Sequence, residues 1–299
     1  MRVLHFSDIH VGVPLGRVPA GKWLSKRALG GLHLAVGRGS RFAAAREKVA
    51  ALAEFARREK VELVIFTGDY TALGLDEEFR LAREAVTPLM NLGGSYLNVP
   101  GNHDLYVAQV VQDRRFEHYF GDTLASDLPA STNGSPWPLV RLPHPDVAVV
   151  AVDSARPNPP WLSTGRVPED QLRGLARTLA DARVRDRFVF VATHYAPRLA
   201  DGGPDRRLHR MDNADAFLSA CAGIRRGAIL CGHVHHRFHV RVPGVAAGIF
   251  CGGSATLAQR EGAWLFEVDP LSACAIPVRW QGATYATLPE ARVDLPNPV

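Results

Sequence analysis

Five apolar, β-rich runs in this chain each end on a short signature of histidine, aspartate or asparagine. Val3-Leu4-His5-Phe6 leads into Asp8-Ile9-His10, Leu63-Val64-Ile65-Phe66 into Gly68-Asp69, and Tyr96-Leu97-Asn98-Val99 into Gly101-Asn102-His103-Asp104. Phe188-Val189-Phe190-Val191 precedes His194, and Ala228-Ile229-Leu230 precedes Gly232-His233-Val234-His235. Short runs rich in β-branched and aromatic residues, bounded by turn residues, read as buried strands. Donor side chains at the ends of neighbouring strands can converge on one point however far apart they stand in sequence. A fold for this chain has to bring five strand ends together.

Between these strands lie helix patterns over residues 41–58, 76–92 and 168–182, with a fourth helix expected to continue from Asp104 to Phe120. Strands alternating with helices imply βαβ crossovers and a largely parallel sheet with helices on its faces. A Pro/Ser/Gly-rich connection, 126–138, leads to a further strand at 147–152. After Cys231 the texture changes to short strands at 238–242, 245–251, 264–268 and 275–280, which reads as a second, mainly antiparallel set. The whole chain, 1–299, reads as a single domain, with a C-terminal strap over 281–299.

One segment does not fit the alternation. Residues 14–40 are rich in glycine and carry Lys22, Lys26, Arg27 and Arg38 among Trp23, Leu24, Leu29, Leu32 and Leu34. This is far longer than the usual βα connection of about 2–6 residues. It reads as an insertion at the rim of the strand ends. Two roles stay open: a short helix packed over the domain edge, or a surface that meets substrate or membrane.

Composition narrows the setting. At 299 residues the chain can bury a substantial core, and its formal charge of +5 suits anionic partners without selecting one. The cysteines at 221, 231, 251 and 274 show no CxxC pairing and sit in apolar stretches, so they are expected to be reduced and buried. Together with a first strand that begins at once, and no apolar run of the roughly 18 residues a spanning helix needs, this points to the cytoplasm, with contact at the inner membrane left open through 14–40.

The signatures suit metal ions. Two cations held roughly 3.5–4 Å apart need deprotonated oxygen or imidazole donors and at least one shared carboxylate, for which Asp69 is the best candidate. If the strands stay extended to their ends, Asp8 and His10 project to the same side, as do His233 and His235, because side-chain direction alternates with period two. Asn102 adds a neutral oxygen that keeps the site less negative, beside Gly101, which permits a tight turn. His5, His33, His118, His144, His236 and His239 occupy no ligand slot and are expected to be structural or exposed.

A lone D-x-H or G-D would mean little, but five signatures in this order resemble the calcineurin-like metallophosphoesterases, whose pattern is D-x-H, G-D, G-N-H-D/E, H and G-H-x-H. The resemblance covers roughly residues 1–270. It implies a four-layer α/β/β/α sandwich of two mixed β-sheets flanked by helices. It assigns Asp8, His10, Asp69 and His235 to one divalent metal and Asp69, Asn102, His194 and His233 to the other. His103 matches the family's non-ligand histidine, and Asp104 the acid beside it. The donors would accept Mn2+, Fe2+/Fe3+ or Zn2+.

Two such cations would polarise a phosphoryl group and make hydroxide available near neutrality. His103 would then steady the developing charge or protonate the leaving alkoxide. Asp104 either orients that imidazole or caps the helix expected to start there. His209 and Arg210, between the last two signatures, are candidates for substrate phosphate. Residues 154–175, with Gly165 and Gln171-Leu172, resemble bacterial cyclic-nucleotide-type phosphodiesterases of this superfamily, so hydrolysis of small nucleotide-like or generic phosphodiesters is the first reading. A lipid-linked substrate at a membrane surface, of the UDP-diacylglucosamine type, is the second and rests on 14–40. A nuclease would want a basic run with interleaved aromatics or an added DNA-capping domain, and no dedicated nucleic-acid module is evident. A non-catalytic scaffold would be expected to lack ligands or His103. Oligomeric state is left open.

Overall fold

The structure, a computed structural model, describes residues 1–130 and 134–296. Part of the 126–138 connection and the end of the 281–299 strap lie outside the described residues, as does the side chain of Arg38. In chain order the strands are β1 (Arg2–Phe6), β2 (Leu63–Phe66), β3 (Ser95–Asn98), β4 (Leu139–His144), β5 (Val147–Ala151), β6 (Phe188–Ala192) and β7 (Gly227–Cys231). They continue as β8 (Phe238–Val242), β9 (Val245–Cys251), β10 (Gly262–Val268), β11 (Ala273–Trp280), β12 (Tyr285–Thr287) and β13 (Val293–Asp294). The helices are α1 (Arg27–His33), α2 (Gly39–Arg41), α3 (Ala45–Arg58), α4 (Asp76–Met90), α5 (Ala108–Gln112), α6 (Arg115–Phe120), α7 (Glu169–Ala180), α8 (Ala182–Arg185) and α9 (Ala214–Cys221).

The strands form two mixed sheets. The first runs β12-β11-β10-β1-β2-β3, with β13 also on β11, and the second runs β4-β5-β6-β7-β9-β8. The expected parallel strands are present: β1, β2 and β3 pair in parallel, as do β5, β6 and β7. The late strands depart from expectation. Rather than forming a set of their own, β10 continues the first sheet antiparallel to β1, while β9 joins β7 in parallel. β8 with β9 and β10 with β11 are antiparallel neighbours as expected, but the inner strand of each pair hydrogen-bonds along its other edge to a strand of the parallel set.

The two sheets face each other across one core, in which Phe266 of the first packs edge-on against Phe190 and Phe250 of the second, with ring centroids 5.1 Å apart in both cases. Residues of α3 and α4 join that cluster, and α7 and α9 close the outer side of the second sheet over Leu172, Leu175 and Phe217. The result is the four-layer α/β/β/α sandwich. All four cysteines are free and buried, and no helix among the described residues is long and apolar enough to cross a membrane.

The helix expected from Asp104 is not there. Residues 102–105 form a turn, and the chain becomes helical only at α5 and α6, separated by Arg114 in a left-handed conformation. The insertion is a series of short pieces: single turns at Leu15–Arg17 and Ala20–Trp23, then α1, then a kink at Val36 and Gly37.

Candidate metal centre

All five signatures lie just past the C-terminal ends of their strands, and those ends meet at the seam between the sheets. Asp8, Asp69 and Asn102 follow β1, β2 and β3 of the first sheet, while His194, His233 and His235 follow β6 and β7 of the second. Asp8, His10, Asp69 and His235 bring donor atoms within 4.8 Å of one another. Asn102, His194 and His233 gather beside them, with Asn102 Oδ1 3.0 Å from His194 Nε2 and 2.9 Å from His233 Nδ1.

The backbone achieves this differently from the extended geometry expected of Asp-x-His and His-x-His. Asp8, His10, Asp69, His233 and His235 all have positive φ, between 45° and 71°, in a left-handed region that few non-glycine residues visit. Such conformations cost on the order of 1–3 kcal/mol each and persist where the surroundings over-determine them. Here they do: Asp8 N donates to Gly68 O, His10 N to Asp69 O, and Ser254 Oγ to Asp8 O. Gly101 is needed for closeness rather than for a turn, since a Cβ there would stand 2.1 Å from Asp69 Oδ1. A Cβ at Gly232 would likewise collide with Ser7 Oγ and Asp8 Oδ2.

The protonation pattern shows what the cluster can hold. His10 Nδ1 lies 3.2 Å from Thr71 O, His194 Nδ1 2.7 Å from Thr67 O, and His233 Nε2 2.9 Å from His209 O. A carbonyl only accepts, so each outer nitrogen carries the proton and each inner nitrogen presents a lone pair to the centre. Burial lowers the pKa of His194 and of His233, which keeps both neutral.

Acceptors therefore face acceptors. His10 Nε2 and His235 Nε2 are 2.9 Å apart, Asp8 Oδ1 is buried without a hydrogen bond, and Asp69 Oδ2 lies 3.6 Å from both His10 Nε2 and His194 Nε2. Cations among these donors would relieve their mutual repulsion, and the residues fit two of them with Asp69 between. Asp69 Oδ1 is held by His103 N at 2.8 Å. Phe42, at the foot of the insertion, packs against the rings of His10 and His235.

His103 stands beside the cluster, edge-on to His10 and stacked on Tyr106. Its Nδ1 lies 2.6 Å from Ala72 O, so that nitrogen carries a proton and the ring is fixed in orientation. Asp104 has a role the sequence did not suggest. Its carboxylate is buried and accepts from the backbone N–H groups of Asp69, Tyr70, Thr71 and Gly101, at 2.9–3.2 Å. Burial raises it to about 6, against the downward pull of those amides. It thus organises the Asp69 loop; it caps no helix, and the orienting contact on the His103 ring comes from Ala72.

A cleft of about 410 Å3 opens on Asn102 and His103 and is walled by Lys26 and Leu29 of the insertion, Tyr106, Trp161, Arg206, Arg207 and His209. His209 reaches this cleft: its ring stacks on His233 at 4.0 Å and its Nδ1 meets Asp205 Oδ2 at 2.6 Å. Arg210 is turned toward Asp212, 3.9 Å away, and the arginines that line the cleft are Arg206 and Arg207. His33 lines it as well. The Arg206-Arg207 pair beside His209 was the available signal for a cationic wall, whereas Lys26, His33 and Trp161 join it only through tertiary folding. His5, left without a ligand role, is buried next to the centre with Nε2 3.0 Å from Thr67 Oγ1, and burial lowers it to about 3.

A family model for calcineurin-like phosphoesterases matches residues 1–237. The chain belongs to the calcineurin-like phosphoesterase family. This phosphoesterase is similar in fold to a dimetal phosphatase from Danio rerio, at 14% identity over 96% of this chain and 98% of that one, with a TM-score of 0.60. It also resembles a purple acid phosphatase from yellow lupin (Lupinus luteus) seeds, at 11% identity, covering 96% of this chain and 52% of that one, with a TM-score of 0.59. No curated protein matches it by sequence. The family's chemistry is hydrolysis of phosphoric esters at a metal centre.

Proposed function

We propose that this phosphoesterase is a phosphodiesterase for small nucleotide-like or generic diesters. The observation that carries the reading is the ring of inward-facing acceptors, Asp8, His10, Asp69, Asn102, His194, His233 and His235, opening beside His103 into a cleft of about 410 Å3. Two divalent cations held by these residues, with Mn2+, iron or Zn2+ all compatible, would polarise the phosphoryl oxygens and bring hydroxide within reach of neutral pH. His103 supplies the rest: with Nδ1 fixed by Ala72, Nε2 delivers a proton to the departing alkoxide or steadies the charge on the phosphoryl group. The cleft beyond His103 leaves room for the second esterified arm that separates a diester from a monoester. Four free, buried cysteines favour a cytoplasmic setting.

Hydrolysis of bis-p-nitrophenyl phosphate beside p-nitrophenyl phosphate tests this, with Mn2+ or chelator, in wild type and His103→Ala. Chelator-sensitive cleavage that prefers the diester and falls at least about a hundredfold in the variant, with metal content retained, is expected. Preference for the monoester would overturn the diesterase reading, and equal loss of metal and turnover would make His103 a ligand.

A second reading has its own observation. The insertion exposes Leu24, Leu32 and Val36, and across the cleft Trp161 and Leu208 are exposed as well. Apolar tips beside Lys22, Arg206 and Arg207 suit peripheral contact with an anionic bilayer and a lipid-linked substrate. Sedimentation with vesicles containing phosphatidylglycerol, against neutral vesicles, tests it, and equal recovery with both would exclude it.

A further inference from the structure

The cleft wall carries a charge imbalance that one reacting phosphate does not account for. Lys26, Arg206 and Arg207 line it, and among the described residues no aspartate or glutamate does. Nearby arginines face carboxylates: Arg198 pairs with Asp215, while Arg156 and Arg210 share Asp212. By contrast, the Arg206 and Arg207 guanidinium groups make no hydrogen bond or ion pair among the described residues; Arg206 lies in the field of Asp205, but that carboxylate is bonded to His209 Nδ1 at 2.6 Å. Lys26 is fixed in place, with Nζ 3.2 Å from Leu162 O and 4.9 Å from the centre of the Tyr106 ring. The cations come from two distant stretches of chain, the insertion and the loop before His209, yet they meet on one cavity continuous with Asn102 and His103.

Seven candidate metal donors would provide for the scissile phosphoryl group, and Lys26 is near enough to feel Asp69, so the paired arginines of the cleft wall add positive charge beyond what that group needs. Guanidinium groups match phosphate oxygens in a fork geometry, and they do so most strongly where water is partly excluded. We propose that Lys26, Arg206 and Arg207 form a subsite for a second phosphate, carried on one arm of the diester. The substrate class is then a polyanionic phosphodiester, with Trp161 at the rim offering a flat face to a ring on the same arm. This rests on the phosphodiesterase reading and narrows it.

The test uses the p-nitrophenyl ester of thymidine 5′-monophosphate and the same ester bearing a 3′-phosphate. Both release the same leaving group and differ by one phosphate. Wild type with Mn2+ should cleave the 3′-phosphorylated ester with kcat/KM about tenfold or more above its partner. In the double variant Arg206→Ala/Arg207→Ala that ratio should collapse toward one. Equal kcat/KM for the two esters in wild type, or a preference that survives in the double variant, would overturn the subsite. Failure to cleave either ester would overturn the phosphodiesterase reading instead. Calorimetric titration of the Mn2+-loaded protein then decides the subsite independently of turnover: thymidine 3′,5′-bisphosphate should bind about tenfold tighter than thymidine 5′-monophosphate to wild type, and equal binding would sink it.

Discussion

At the scale of single residues, the site depends as much on backbone conformation as on donor identity. Five candidate ligands are held at positive φ, and the amides of residues 69–71 are gathered by one buried carboxylate, Asp104. Replacing it by alanine would strand several buried N–H groups at about 1–3 kcal/mol each. Asp104→Ala should therefore lower stability by more than about 3 kcal/mol in denaturant titrations and weaken metal binding with it. A large fall in kcat with stability and metal content intact would return Asp104 to a catalytic role. Asp69→Asn should weaken both metal positions, since its Oδ2 is equidistant from His10 and His194. Retention of two tightly held ions by elemental analysis would exclude bridging. The donors themselves were legible because metal chemistry restricts residue type so strongly. Their geometry was not, because an Asp or His in a left-handed turn looks in sequence like one at the end of an extended strand.

At the scale of elements, the insertion is tied into the catalytic loop and is more than a cover. Arg27 of α1 is buried, with Nε donating to Leu73 O at 2.9 Å and Nη2 to Gly74 O at 3.1 Å. The adjacent Ala72 carbonyl holds His103, and Glu78 of α4 accepts from Leu73 N and Leu75 N on the other side of the same loop. Arg27→Ala should lower kcat about tenfold on every substrate while two metals stay bound, because misplacement of a proton donor is costly. Loss confined to lipid-linked substrates would instead make the insertion a surface that meets membrane or substrate. Glu78 makes a second prediction. Burial raises it from an ordinary 4.5 to about 7, against the pull of the Leu75 and Leu73 amides and of Arg27. The folded chain thus binds this proton more tightly than the unfolded one. The resulting stability is full below about pH 4.5 and is lost as pH rises through about 7, on the order of 3 kcal/mol. Denaturation midpoints of Glu78→Gln should change less than those of wild type across that window, and parallel curves would show that Glu78 does not titrate there. Length alone marked 14–40 as unusual. Its attachment through one arginine to two carbonyls left no trace in sequence, since nothing in Lys26-Arg27-Ala28 distinguishes a buried guanidinium from an exposed one.

At the scale of the whole molecule, the metal centre joins the two sheets. The parallel strands and their helices were readable from alternation, but the late strands' allegiance was not: β10 joins the first sheet beside β1, from the other end of the chain, and β9 joins the second beside β7, in parallel where a local hairpin would be antiparallel. This division has an energetic consequence. One expected ion draws Asp8, His10 and Asp69 from the first sheet and His235 from the second, and the other draws Asp69 and Asn102 from the first and His194 and His233 from the second. The unfolded chain cannot offer either set, so binding energy at the seam becomes folding energy for both sheets at once. Each ion present at a hundredfold over its dissociation constant should add about 2.7 kcal/mol. Mn2+ titration should accordingly raise the thermal midpoint of the whole cooperative transition, and chelator should lower it. The increment should shrink in Asp69→Asn and survive in His103→Ala, whose ring stands beside the donors. If chelator left the midpoint unchanged, or released one sheet before the other in two resolved transitions, the centre would not be holding the sheets together.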